Sequence, residues 1–293
     1  MTTTTSRALV LGGGGSTGNA WLIGVVSGLV EAGVDVTTAD RTIGTSAGAT
    51  AAAQLAGATP QDLFASVLAT TPRQSVGSDR VRIPAGPVPD HLARIHAIID
   101  SADGIADMQR RMGAAALAMD VDSDGTWSAR WRTIVAARFT QHTWPERDVL
   151  LIAVDARTGN PVVFDRHSGV ELVDAVAASC SSGLPYRIGD DRYLDGGYRR
   201  NENADLAAGC ARVLVLSPFG GRALHPLSWG THLATQVDEL RATGSTVMTV
   251  GPDPTAEHLF GANAMDLSLR PAAAQVGHDQ GRALADQIGE LWR

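Results

Sequence analysis

The chain contains no lysine; all 24 of its basic side chains are arginine. That absence excludes a P-loop lysine, a Schiff-base lysine and a Ser-Lys dyad. Cysteine is scarce as well. The two present, Cys180 and Cys210, fit no zinc or redox spacing, so no metal is expected and a reduced, cytoplasmic setting is the expectation. No apolar run reaches the roughly 20 residues of a membrane span, and Met1–Arg7 lacks the charged start and apolar core of a signal peptide. Positive charge is in deficit: the net charge is -7, with no basic stripe to offset it, which argues against a nucleic-acid partner. With 44% hydrophobic and 19% charged residues over 293 positions, the chain reads as globular and long enough for a sizeable core. No repeat, low-complexity segment or linker divides it. A single domain over 1–293 is therefore expected.

Arg41-Thr42-Ile43-Gly44-Thr45-Ser46-Ala47-Gly48 is the stretch around which the rest is organised. Thr42-Ile43 reads as the end of a buried strand, Gly44, Ser46 and Gly48 satisfy G-x-S-x-G, and Ala49–Ala53 reads as helix. Strand, sharp turn and helix is the context of a nucleophile elbow, in which the serine hydroxyl is lifted clear of the sheet. The glycines matter because such a turn strains the serine backbone and leaves no room for a neighbouring Cβ. The plainer reading is a Gly-Ser turn that caps a helix.

Ahead of this stretch, Ala8–Leu11 is a short buried strand that runs into Gly12-Gly13-Gly14-Gly15-Ser16-Thr17-Gly18. A helix follows with Trp21, Leu22, Val25, Val26, Leu29 and Val30 in period, stopped by Gly33. Strand–helix–strand–helix at this pace predicts an α/β sheet with parallel strands. The glycine run has two readings. Gly13, Gly15 and Gly18 match the dinucleotide fingerprint, with Asp35 near the distance of a ribose-binding acid. Alternatively, successive N–H groups converge on one spot as an oxyanion hole. A separate elbow after the next strand favours the second.

From about residue 56 to 146 the alternation stops. Pro84, Pro87 and Pro89 break the chain. Leu92, Ile95, Ile98 and Ile99 form one apolar helical face, and Ile105, Met108, Met112 and Met119 another. Trp127, Trp131, Ile134 and Val135 form a third stripe. These faces are either core or the lining of an acyl-chain pocket. Alternation resumes with the strand Val149–Val154, a turn at Thr158–Asn160 and Val162–Phe164. A helix at Glu171–Ser179 comes next, then Tyr186–Ile188, a Gly189-Asp190 turn and Arg192–Leu194. Asp195-Gly196-Gly197 ends that last strand, placed to project a carboxylate from the sheet edge or merely to close a turn. Arg212–Leu216 and Thr246–Val250 are further strands, Thr231–Arg241 a helix, and Ala272–Trp292 a closing helix.

Three blocks in this order, Gly12–Gly18, Gly44-Thr45-Ser46-Ala47-Gly48 and Asp195-Gly196-Gly197, resemble the patatin-like phospholipase family of serine acyl hydrolases. Ala177–Pro185 and Asn201 add to the likeness, which spans most of the chain but little of 56–146. The resemblance implies a three-layer α/β/α sheet with a helical insertion, about 56–146, covering the active site. It implies a Ser-Asp dyad, with Ser46 as nucleophile and Asp195 as its partner. Gly13, Gly14 and Gly15 become the oxyanion hole, and Gly44, Gly48, Gly196 and Gly197 supporting motif positions. The implied substrate is a lipid or apolar acyl ester, reached by transient contact with a membrane surface, and no cofactor is needed. Thr17 stands where the family loop usually carries an arginine or lysine, so a cationic contribution is missing there. Three alternatives stay open. One is a Ser-His-Asp triad based on His225, His232, His258 or, in the most distinctive local setting, His278. The others are a non-catalytic patatin-like lipid-binding protein and a dinucleotide-binding oxidoreductase built on the 12–18 loop.

Overall fold

The computed structural model describes residues 6–69, 88–121 and 125–293. Pro84 and Pro87, expected as chain breaks, lie outside them. The chain opens with β1 (Arg7–Leu11), which leads through Gly12–Gly14 into α1 (Gly15–Glu31). β2 (Arg41–Gly44) is separated from α2 (Ala47–Gly57) by Thr45 and Ser46 alone. Four helices follow: α3 (Pro60–Ala69), α4 (Val88–Ser101), α5 (Ile105–Val121) and α6 (Trp127–Ala136). Pro89 falls in the first turn of α4, where a missing N–H costs nothing. β3 (Asp148–Asp155) and β4 (Pro161–Phe164) make the expected hairpin, α7 (Leu172–Ser179) follows, and β5 (Tyr186–Ile188) and β6 (Asp191–Asp195) make a second hairpin. β7 (Arg212–Leu216), α8 (Leu233–Ala242), β8 (Thr246–Val250), α9 (Arg270–Ala283) and α10 (Ala285–Trp292) complete the chain.

All eight strands belong to one sheet. β3, β2, β1, β7 and β8 are parallel neighbours in that order. The sequence predicted parallel strands together with an antiparallel hairpin at 149–164, and the observed sheet is mixed. The short strands β4 and β6 pair antiparallel with β3, and β5 pairs antiparallel with β6. Chain order runs β1, β2, β3 in one direction, then returns to set β7 on the other side of β1. The glycine loop therefore leaves β1 where strand order reverses, the crevice in which open α/β sheets bind ligands.

Side chains alternate across the sheet and bury two faces. On one, Leu9, Leu11, Leu151 and Ala153 pack against α1, α2, α7 and α9. On the other, Val10, Ile43, Ile152 and Val215 pack against α8, and further along β3 Val154 and Ala156 pack against α4 and α5. The helices of 56–146 are thus divided between the faces. α3 lies on α1 and α9, α6 lies on α7 with the Trp131 Nε1 donating to the Ala177 carbonyl at 3.0 Å, and α4–α5 cover the β3–β6 end.

α1 and α9 touch backbone to backbone. A Cβ on Gly24 or Gly28 would stand 2.1 Å from the carbonyl oxygens of Ala274 and His278. The register, 24 with 274 and 28 with 278, runs both helices the same way and sets the first turn of α9 beside the first turn of α1. The expected single closing helix is broken at Leu284 into α9 and α10. The break leaves α9 on α1 while Ile288 and Trp292 of α10 enter the core.

Candidate active site

Ser46 sits at φ 52, ψ -110, a conformation that residues with a Cβ rarely hold. Its surroundings impose that strain from both sides. The Ser46 amide donates to Ser179 Oγ at 3.0 Å, and the Cys180 thiol donates to the Ser46 carbonyl at 3.1 Å. Burial pushes the Cys180 thiol up to about 11, so it stays a donor. The Thr45 amide bonds the Leu11 carbonyl at 3.0 Å. A Cβ at Gly48 would lie 1.8 Å from that same carbonyl oxygen, which is why only glycine fits there. This strained strand-to-helix turn has the geometry that a nucleophile elbow requires, and it is not a simple cap: the Ser46 side chain makes no capping bond to α2.

Asp195 reaches the same place from the far strand. Gly44, ending β2, is opposite Leu151 on β3, and Asp195, ending β6, is opposite Ala153. Both loops leave the β3 ladder within two residues of one another. The Asp195 carboxylate accepts from the Gly197 amide at 2.8 Å, so it closes its own turn. With 7% exposure, burial pushes its carboxyl from 3.8 up to about 6, against the opposing pull of the Gly197 amide and of the nearby Ser46 hydroxyl. A carboxylate poised near neutral pH is suited to proton transfer.

The glycine loop requires one correction. The Gly12 amide donates to the Leu216 carbonyl at 2.9 Å and the Gly13 amide to the Asn201 carbonyl at 3.0 Å. Gly13 was expected among the oxyanion donors, but its N–H is already committed. Among the described residues, no acceptor meets the amides of Gly14 and Gly15, at the N-terminus of α1. Gly15 has φ +64, and a Cβ there would stand 2.7 Å from the Ala264 carbonyl oxygen; one on Gly14 would stand 2.4 Å from Pro218 Cβ.

A buried polar cluster carries the loops. Asn201 Nδ2 donates to the Gly13 carbonyl at 3.2 Å and to Glu202 Oε1 at 2.9 Å, and Ser217 Oγ donates to the same carboxylate at 2.7 Å. Burial raises the Glu202 carboxyl. Asn203, left-handed at φ 54, reaches Thr45 Oγ1 at 3.0 Å and the Gly196 carbonyl at 3.3 Å, tying the elbow to the aspartate loop. Sequence reading had marked Asn201 and, within Ala177–Pro185, Ser179, and missed Glu202, Asn203 and Ser217. The available signal was a polar run directly after Asp-Gly-Gly, which resembles an ordinary surface turn.

The competing arrangements lose their parts. His225 bonds Thr231 Oγ1, His232 the His225 carbonyl, His258 the Thr255 carbonyl and His278 the Glu31 carboxylate. None of these four bonds Ser46 or Asp195. Asp35 precedes β2 and spends its carboxylate on the Thr37 amide at 2.9 Å. That is the opposite edge of the sheet from the glycine loop, so it cannot serve a nucleotide there. Among the described residues there is no metal-binding cluster and no helix long and apolar enough to cross a membrane.

An α/β sheet with a strained serine elbow beside a buried carboxylate and a glycine-rich loop defines the hydrolase class to which the site conforms. The family model described as Patatin-like phospholipase matches residues 9–208, and the chain belongs to that family. No curated protein matches it. Among solved structures, it is similar to VipD from Legionella pneumophila, at 15% identity and a TM-score of 0.45, covering 97% of this chain and 67% of that one. It is also similar to the type III effector protein ExoU, at 17% identity and a TM-score of 0.36, covering 95% of this chain and 54% of that one. The chain thus spans about half the length of ExoU.

Proposed function

We propose that the protein is a serine acyl hydrolase that cleaves carboxylic esters of lipids. Ser46 gives its hydroxyl proton to Asp195 as Oγ attacks the ester carbonyl. The amides of Gly14 and Gly15 hold the oxyanion of the tetrahedral intermediate, each worth a few kcal/mol. When the intermediate collapses, the carbon–oxygen bond to the alcohol breaks and Asp195 returns the proton to the leaving oxygen. Water then attacks the acyl-enzyme, passing a proton through Asp195 back to Ser46. The observation that carries this reading is the strained turn of Ser46, which β3 sets beside a buried Asp195 whose carboxyl is pushed up to about 6. Family membership supports the lipid substrate, reached by transient contact with a membrane surface from the cytoplasm.

The test is a fluorophosphonate label followed by peptide mapping. The expected result is a single modified residue, Ser46. Label on another serine, or none on folded protein, overturns the nucleophile assignment and favours a lipid-binding protein without catalysis.

A further inference from the structure

Most half-buried arginines of this chain meet a carboxylate. Arg41 pairs with Asp148 at 2.7 Å, Arg132 with Asp174 at 2.8 Å and Arg199 with Asp205 at 2.6 Å. Among the described residues four do not: Arg7 and Arg212, which begin β1 and β7 at the edge of the sheet away from the glycine loop, and Arg270 and Arg138. Arg270, opening α9, donates from Nη1 to the Ser16 carbonyl at 2.7 Å and Ser16 Oγ at 3.1 Å, and from Nη2 to Asn19 Oδ1 at 3.1 Å. Its contacts are all neutral. Arg138, just past α6, rests its guanidinium over the Trp131 ring at 4.8 Å and makes no hydrogen bond through it among the described residues. One chain of hydrogen bonds joins the two arginines and the elbow. Asn19, which accepts from Arg270, donates to the carbonyl of Ala47, next to Ser46, at 3.4 Å and to Gln54 Oε1 at 2.9 Å, and Gln54 Nε2 donates to the Arg138 carbonyl at 3.0 Å. Ser16, the other partner of Arg270, follows Gly15 directly.

Two half-buried like charges that meet no counter-ion among the described residues are costly, and a bound anion removes that cost. We propose that Arg138 and Arg270 form a subsite for the phosphodiester of the lipid substrate, beside the Ser46 nucleophile. The inference rests on the acyl-hydrolase reading. It also answers the departure at Thr17: the positive charge that the glycine loop lacks comes from α9, outside the residues the family model matches. The α1–α9 glycine contact is what holds Arg270 there.

The experiment compares kcat/KM on dihexanoylphosphatidylcholine with kcat/KM on p-nitrophenyl hexanoate, which has the same acyl group and no phosphate. In Arg138→Gln and in Arg270→Gln the ratio of the two should fall roughly tenfold, the value of one charge-assisted hydrogen bond. Arg270→Lys should restore most of it. A ratio that stays within about twofold of wild type, even with both rates reduced, overturns the subsite and makes the arginines structural. Should the glutamine variants fail to fold, unaltered protein decides. Inorganic phosphate should compete with p-nitrophenyl hexanoate at millimolar concentration, and no inhibition overturns the proposal. Inhibition without any rate on the phosphodiester lipid assigns the site to free phosphate and likewise overturns it. If neither ester is cleaved, the catalytic reading has failed by itself. The subsite is then judged by calorimetric binding of dihexanoylphosphatidylcholine to wild type against Arg270→Gln.

Discussion

Residues 9–208 carry every recognisable motif, and residues 209–293 carry none, yet the second stretch builds as much of the site as it lacks in signature. Leu216 fixes the Gly12 amide, Pro218 fills the space against Gly14, Ala264 takes the Thr17 amide, and Arg270 caps Ser16. The difference lies in what each region must supply. The first stretch supplies the atoms that react in the proposed mechanism, and reacting atoms need particular residue types in a particular order. The second supplies carbonyl oxygens, van der Waals surface and one cation, which many sequences can provide once β7 is set beside β1.

The largest effect expected lies wholly in the first region. Ser46→Ala should remove fluorophosphonate labelling and lower kcat by several orders of magnitude, as loss of a nucleophile does. Its Tm should stay within a few degrees, because the half-exposed hydroxyl contributes little to packing. Residual hydrolysis near the wild-type rate would dissolve the division between reacting and supporting regions.

Next comes Asp195→Asn, which should cost roughly 10²–10⁴ in kcat because an amide cannot take the serine proton. The kcat/KM profile of the wild type should fall below about pH 6 as Asp195 becomes protonated. Stability moves the other way. The folded carboxyl titrates near 6 and the unfolded one near 3.8. The contribution of this group is therefore fully favourable below the unfolded value and is lost as pH rises through 6, a difference of about 3 kcal/mol. Asparagine escapes that loss while keeping an acceptor for the Gly197 amide. Asp195→Asn should thus melt roughly 5 °C above wild type at pH 8 and close to it at pH 4. Equal melting temperatures at both pH values would mean that the carboxylate is not held against its burial.

A smaller effect joins the two regions. Gly14→Ala drives a methyl group into Pro218, and kcat should fall roughly tenfold or more as the loop shifts its free amides. Pro218→Gly opens that space. The double variant should recover part of the lost kcat, with a coupling of roughly 1 kcal/mol or more between residues that share one contact. Strict additivity would show that the C-terminal stretch does not position the loop.

How much of this could be read in the sequence follows the same division. The elbow was legible because glycine is the only residue that fits between Leu11 and α2, and Asp195 because it ends a strand before two glycines. The antiparallel pairing of β4 with β3 was legible from the Thr158–Asn160 turn, but that of β6 with β3 was not, since Arg192–Leu194 looks alike in either strand direction. Nor could spacing reveal that the Gly13 amide is spent, because its acceptor is a backbone carbonyl 188 positions away. Asn203 and the bond from Ser46 to Ser179 escaped notice because they hold the elbow through hydrogen bonds that no periodicity records. Asp35 had the right separation for a ribose acid but lies at the wrong edge of the sheet, which only the strand direction decides.

The smallest effect concerns the stretch 56–146, where the two expectations for its apolar faces were core and acyl-chain pocket. Met108 has no exposed surface and packs with Val154, Ala156 and Leu194. Met112, at 5% exposure, instead borders a narrow cleft with Ile95, Leu194, Ser182 and Tyr198, and Tyr198 feels the Asp195 charge. Of the neighbouring methionines on α5, Met108 is core, and Met112 is the one that borders a cleft. Met112→Trp should fill the cleft and shift p-nitrophenyl ester preference a few-fold toward shorter chains, leaving the acetate rate nearly unchanged. Met108→Ala removes buried atoms and should cost roughly 2–4 kcal/mol of stability with no change in chain-length profile. An unaltered profile in Met112→Trp, with the protein folded, would make both methionines core. The acyl chain would then leave Ser46 by another route.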